Sequence, residues 1–239
     1  MLVSGTLARR SAAELLGTWL LLVGVVGSGI LGEDLAGGNT AVALLANVVG
    51  TAGALAAAIE AVGPVSGAHL NPAVSLATFL AGGLRGRELG AYVAAQSAGA
   101  VLGAVTANLM FSLPAVSVAT TERAGAGLLL AEAVATFGLV TVIWGVVRRS
   151  DGRGTAAIPL WVAAGMVATA STCFANPAVS VARTLSDTFT GIRPADALSF
   201  VPVQLAAAAA ATALAGWLFP RPLPGDDVVV PHDPARADA

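Results

Sequence analysis

The sequence predicts an all-α membrane protein built as an inverted repeat, each half carrying three spans and one re-entrant half-helix, six spans in total. Three observations carry this. The chain of 239 residues is 56% hydrophobic and 11% charged, with mean hydropathy +0.81, far from the usage of soluble domains. It holds six apolar stretches near 11–32, 39–62, 88–111, 124–147, 155–174 and 195–219, each near the ~20 residues at ~1.5 Å apiece that cross about 30 Å of hydrocarbon. Finally, Asn71-Pro72-Ala73-Val74-Ser75 returns unchanged as Asn176-Pro177-Ala178-Val179-Ser180.

The connections orient the spans. All twelve basic residues are Arg. Arg9 and Arg10 precede the first span, Arg85 and Arg87 follow the second, and Arg148, Arg149 and Arg153 follow the fourth. These segments share one side, and the excess of positive charge makes it cytoplasmic, both termini included. The Arg residues thus bear on orientation and not on nucleic acid. Residues 1–10 read as a cytoplasmic N-terminus, 11–111 as the first repeat, 112–123 as an extracytoplasmic loop, 124–219 as the second repeat and 220–239 as a disordered cytoplasmic tail. The first apolar run contains Glu14 and is too long for the core of a cleavable signal, so none is expected.

The two halves are copies. Beyond the shared pentapeptide, Ala77 matches Ala182 and Leu80 matches Leu185, while Ala13-Glu14 and Thr18-Trp19 match Ala131-Glu132 and Thr136-Phe137. Each copy has an odd number of spans, so the second enters the membrane upside down relative to the first. Gly99 and Gly103, one helical turn apart, suit close helix packing in lipid.

Within each copy, Asn followed by Pro starts a helix: the Asn caps free N–H groups, and Pro at the first position gives up no hydrogen bond. The helix from Asn71 can run only to about Leu80 before Gly82-Gly83, roughly 15 Å or half the hydrocarbon thickness. In inverted halves, two such half-helices meet near the midplane. The irregular backbone before them, residues 63–70 and 171–175, survives there only if buried in protein or lining a wet path. Two converging helix N-termini, each with about half an elementary charge, repel cations. The Asn71 and Asn176 amides can donate hydrogen bonds to a passing neutral molecule.

Ser66-Gly67-Ala68-His69-Leu70-Asn71-Pro72-Ala73-Val74, with the second Asn176-Pro177-Ala178, resembles the aquaporin and glycerol-facilitator (major intrinsic protein) family over roughly residues 10 to 219. The resemblance implies an aquaporin-like fold and passive permeation of water or small neutral solutes through the cell membrane. It also implies a homotetramer with one pore per subunit in the lipid bilayer. Counted without gaps from each box, the family's outer-filter positions fall on Thr51, Ala164, Cys173 and Val179, where most relatives carry Arg at the last. A wide, uncharged filter is the expectation, passing solutes larger than water. Val179, Ala182-Arg183 and Asp187-Thr188-Phe189 further resemble bacterial homologues associated with arsenic resistance, which adds arsenite or a related neutral metalloid acid to glycerol as an expected solute.

Several side chains have two readings in the sequence. Glu14 and Glu132, costly in a membrane, are coupling carboxylates or, as in the family, braces for the backbone before the boxes. Arg183, four residues past Val179, either reaches back to the pore or pairs with Asp187 or loop carbonyls. Cys173 is a soft ligand for mercurials and trivalent arsenicals, or a small packing residue. His69 lines the vestibule, is satisfied by loop backbone, or does both. With no nucleophile–base pair or metal cluster in the spans, neither an enzyme nor a cofactor or metal site is expected. Two other membrane functions remain: a secondary transporter coupled through Glu14 and Glu132, and a closed structural protein.

Overall fold

The computed structural model describes residues 5–148 and 154–219; the predicted tail at 220–239, and Arg149 and Arg153, lie outside them. All the regular structure among the described residues is helical. In chain order the helices are α1 Leu7–Leu35, α2 Thr40–Ser66, α3 Pro72–Leu80, α4 Gly86–Met110, α5 Ala126–Val147, α6 Ala157–Ala168, α7 Pro177–Ala182 and α8 Pro194–Leu218. A single 3-10 turn, Arg183–Leu185, follows α7.

Local chemistry sets the ends. Asn39 caps α2 by accepting from Ala41 and Val42 N–H, and Gly67 closes it at φ +83°, a left-handed position that costs glycine little. Asn71 and Asn176 cap the half-helices as expected, with Pro72 and Pro177 at the first helical position. The Glu88 carboxylate accepts from the Arg85 N–H at 2.8 Å and so fixes the start of α4.

Five helices, α1, α2, α4, α5 and α8, are long and apolar enough to cross a membrane. The fifth expected span, 155–174, is different: helix α6 occupies only Ala157–Ala168, 12 residues, or about 18 Å. The chain unwinds because Thr169 turns its hydroxyl back to the Gly165 carbonyl (2.7 Å) and takes the Cys173 N–H (3.2 Å). The apolar run therefore continues through a loop that belongs to the second box.

Packing follows the repeat. Helix α1 lies against α2 and α4, and α5 against α6 and α8. Each half-helix also reaches into the other half, α3 against α8 and α7 against α4. Gly99 and Gly103 let α4 touch α1 backbone: a Cβ added at Gly99 would sit 2.3 Å from the Leu15 carbonyl oxygen, and one at Gly103 2.7 Å from that of Trp19.

Candidate functional site

The two Asn-Pro-Ala boxes interlock at the centre of the bundle. Asn71 Nδ2 donates to the Ala175 carbonyl and Asn176 Nδ2 to the Leu70 carbonyl, each at 2.8 Å. Their Oδ1 atoms accept the half-helix caps, from Ala73 N–H at 2.8 Å in one and from Ala178 and Val179 N–H at 3.0 and 3.3 Å in the other. One amide hydrogen of each Asn is thus spent on holding the opposite box, a use the sequence reading did not anticipate. The second is left to face the cavity that both residues line.

Behind each box stands a carboxylate. Glu14 Oε1 accepts from Ser66 Oγ (2.6 Å) and His69 N–H (2.9 Å), and Oε2 from Leu70 N–H and Gln96 Nε2, both at 2.7 Å. Glu132 accepts from Phe174 N–H (2.9 Å), Ala175 N–H (2.8 Å) and Gln204 Nε2 (2.6 Å). Both carboxylates are fully buried. The loops they hold are strained: φ is +47° at Ala68, +52° at Leu70, +54° at Cys173 and +46° at Ala175. A non-glycine residue there costs on the order of 1–3 kcal/mol, so it persists only when its surroundings fix it. The paired N–H groups directed at each carboxylate do so.

The sequence reading missed the third members of these clusters. Gln96 and Gln204 each donate to a Glu and to a box serine, Ser75 or Ser180, at 2.9 Å. Their signal was present as a second internal match: Tyr92-Val93-Ala94-Ala95-Gln96 and Phe200-Val201-Pro202-Val203-Gln204 share aromatic, Val and Gln at the same spacing. The same symmetry pairs His69 with Phe174, since 174 − 69 equals 176 − 71. His69 packs edge-on against Tyr92 with centroids 5.1 Å apart, and Phe174 against Phe200 at 5.5 Å.

A cavity runs past the boxes. Its lining includes the apolar Leu21, Val25, Leu55, Ile59, Leu139 and Ile143 together with Asn71, Asn176 and residues of the two loops. Thr51, Cys173 and Val179 line it together. Ala164 does not: it is exposed on the far face of α6, whereas the neighbouring Gly165 and Met166 are buried and Met166 lines the cavity. A Cβ on Gly165 would lie 2.8 Å from Cys173 Sγ. The ungapped count fails there because it crosses the unwound turn after Ala168.

His69 lines the cavity; its main-chain N–H serves Glu14, and its ring Nδ1 lies 3.0 Å from Ser75 Oγ rather than on loop backbone. Cys173 is a free, buried thiol facing the same space. Arg183 is 4% exposed and lines the cavity, with Nε donating to the Thr190 carbonyl. Asp187, its expected ion-pair partner, instead accepts from the Thr120 N–H (2.8 Å) and hydroxyl (3.0 Å) through Oδ1. Among the described residues no group of three or more His, Cys, Asp or Glu side chains could hold a metal ion.

The chain is similar to known proteins. The family model described as Major intrinsic protein matches residues 1–170, ending before the second box. Aquaglyceroporin AqpS of Rhizobium meliloti (strain 1021) is 46% identical over 213 residues, covering 89% of this chain and 91% of that protein. The probable aquaporin AqpM of Archaeoglobus fulgidus is 31% identical over 240 residues, 90% and 96% of the two chains. In fold, the X-ray structure of the aquaglyceroporin from Plasmodium falciparum matches 90% of this chain and 96% of its own at a TM-score of 0.68 and 22% identity. With a family model over more than half its length and relatives aligned nearly end to end, this chain belongs to the major intrinsic protein family.

Proposed function

We propose that this chain is a passive transmembrane channel for water and small uncharged solutes, with an outer filter widened at Thr51, Cys173 and Val179. The observation that carries it is the cavity itself, lined by apolar side chains of α1, α2 and α5 and by Asn71 and Asn176 of the two interlocked boxes. A polyol fits this lining, its carbons on Leu21, Ile59 and Leu139 and its hydroxyls on the Asn71 and Asn176 amides and loop carbonyls. Small side chains at the filter positions leave room for glycerol, in keeping with a relative named an aquaglyceroporin. A neutral metalloid acid such as arsenite is of comparable size, and the Val179, Ala182-Arg183 and Asp187-Thr188-Phe189 pattern supports it as a second solute.

The protein works in the cell membrane with both termini cytoplasmic, residues 11–111 and 124–219 as its two repeats, and four copies associated with one pore each. The spread of Arg between the spans and the family resemblance support this arrangement. Glu14 and Glu132 brace the loops; their oxygens are engaged by donors from the backbone and from Gln96 and Gln204, which leaves a carrier no free coupling carboxylate. The test is solute uptake by proteoliposomes on a stopped-flow instrument. A channel gives glycerol flux linear in concentration and indifferent to a proton gradient. Saturable uptake that follows the gradient would establish a carrier instead, and no flux of water, glycerol or arsenite would establish a closed structural protein.

A further inference from the structure

At Val179 helix α7 presents no charge to the cavity, yet a guanidinium borders that cavity one turn further along. Arg183 is more than nine-tenths buried, and its Cζ lies 3.5 Å from the centroid of the Phe174 ring, with Nε tied to the Thr190 carbonyl. Phe174 is itself fixed, by its N–H on Glu132 and its ring edge-on to Phe200 at an interplanar angle of 88°. Thr190 reaches its place because Gly29 has no side chain: a Cβ there would sit 2.2 Å from Thr190 Cγ2. Among the described residues neither Nη of Arg183 has a hydrogen-bond partner. The nearby carboxylates are committed elsewhere, Asp187 to Thr120 and Glu132 to the loop and Gln204.

The inner mouth differs. The counterpart of Phe174 there is His69, tied to Ser75. There Arg10 lies over the Tyr92 ring at 5.3 Å. The platform that presents a guanidinium to the cavity belongs to the outer half.

We propose that Arg183, positioned by Phe174 and Thr190, is the charge-selecting residue of this pore, and that its Nη groups donate to the oxygens of entering polyols or neutral oxyacids. Resting on the channel reading above, this assigns two kinds of selection to different residues. Thr51, Cys173 and Val179 set the width. Arg183 sets the charge, about 5.4 Å nearer the exterior. The cation–π contact and the Thr190 carbonyl hold the side chain without neutralising it, so its field acts on the permeant.

The experiment compares cation leak and glycerol flux in proteoliposomes of the native protein and of Arg183→Ala, Arg183→Gln, Arg183→Lys and Phe174→Leu. A unit charge about 6 Å from the path, acting through an effective dielectric of about 20, changes a cation's barrier enough for up to roughly a hundredfold in rate. Arg183→Ala and the near-isosteric Arg183→Gln are therefore expected to raise sodium or proton leak by about tenfold or more. Arg183→Lys holds the leak near the native level, and Phe174→Leu raises it part of the way by freeing the guanidinium. Glycerol uptake, expected to rise when the mouth is opened, reports that each variant is folded. Native leak in a glycerol-conducting Arg183→Ala or Arg183→Gln protein would overturn the charge assignment, and native leak in Phe174→Leu would overturn the platform. A native protein that passes neither water nor glycerol would instead defeat the channel reading itself.

Discussion

Replacing Glu14 by Gln exchanges one acceptor oxygen for a donor amide in a site that presents four donors. If the amide takes the place of Oε2, it meets Leu70 N–H and Gln96 Nε2. Gln96 can turn its own amide, since its Oε1 has no partner among the described residues, but the Leu70 N–H cannot move. If the amide takes the place of Oε1, the Ser66 hydroxyl can rotate and the His69 N–H cannot. Either way one buried backbone N–H is orphaned, at a cost of about 1–3 kcal/mol. Glu14→Ala orphans both, roughly 2–6 kcal/mol, in a loop already strained at Ala68 and Leu70. We therefore expect Glu14→Gln to unfold at lower temperature in detergent, with glycerol flux per folded protein reduced but still linear and independent of a proton gradient. Glu14→Ala should fail to accumulate as folded protein. A Glu14→Gln protein of native stability whose flux loses a dependence on proton gradient would refute bracing and establish coupling.

Two further outcomes follow from close contacts. Gly99→Val drives side-chain carbon into the Leu15 carbonyl, where a Cβ alone would stand 2.3 Å away, so α1 and α4 must separate. Thermal unfolding should show a loss of at least about 2 kcal/mol, and a variant as stable as native would contradict the α1–α4 packing. Gly165→Leu places a side chain against Cys173 Sγ, where even a Cβ would be 2.8 Å away, and should reduce glycerol flux more than water flux. Ala164→Leu, on the exposed face of α6, should leave both rates at the native level; the reverse pattern would return Ala164 to the filter.

Much of this site was legible because chemistry forced it into the sequence twice. Backbone that turns inside a membrane needs a helix cap and a carboxylate in each half, so Asn71 with Glu14 and Asn176 with Glu132 announced themselves as repeats. Three of the six spans, those of α4, α5 and α8, were placed within three residues of a helix end at both ends, and α1 and α2 extend beyond their predicted limits by up to four, because a long apolar helix ends wherever its cap lies and not where hydropathy falls. The α6 boundary was not legible, since the Thr169 turn is carried by a side-chain hydrogen bond within a still apolar run. Ala164 was misplaced for the same reason. Arg183 was ambiguous in one dimension: i+4 spacing to Asp187 favours an ion pair on a helix, but α7 ends at Ala182 and the following 3-10 turn rotates Asp187 toward Thr120.

Small side chains at the outer filter, Val179 above all, are expected to make this a pore for solutes larger than water. Stopped-flow measurement of water, glycerol and arsenite permeability in proteoliposomes, native against Val179→Arg, tests it most directly. Val179 is 5% exposed, lines the cavity beside Cys173 and lies one turn before Arg183, so an added guanidinium has only the pore to occupy. Val179→Arg is expected to lower glycerol and arsenite flux by at least about tenfold, the effect of about 1.4 kcal/mol on a barrier, while water continues to pass. Glycerol flux equal to native in Val179→Arg, with water flux showing the protein folded, would contradict it.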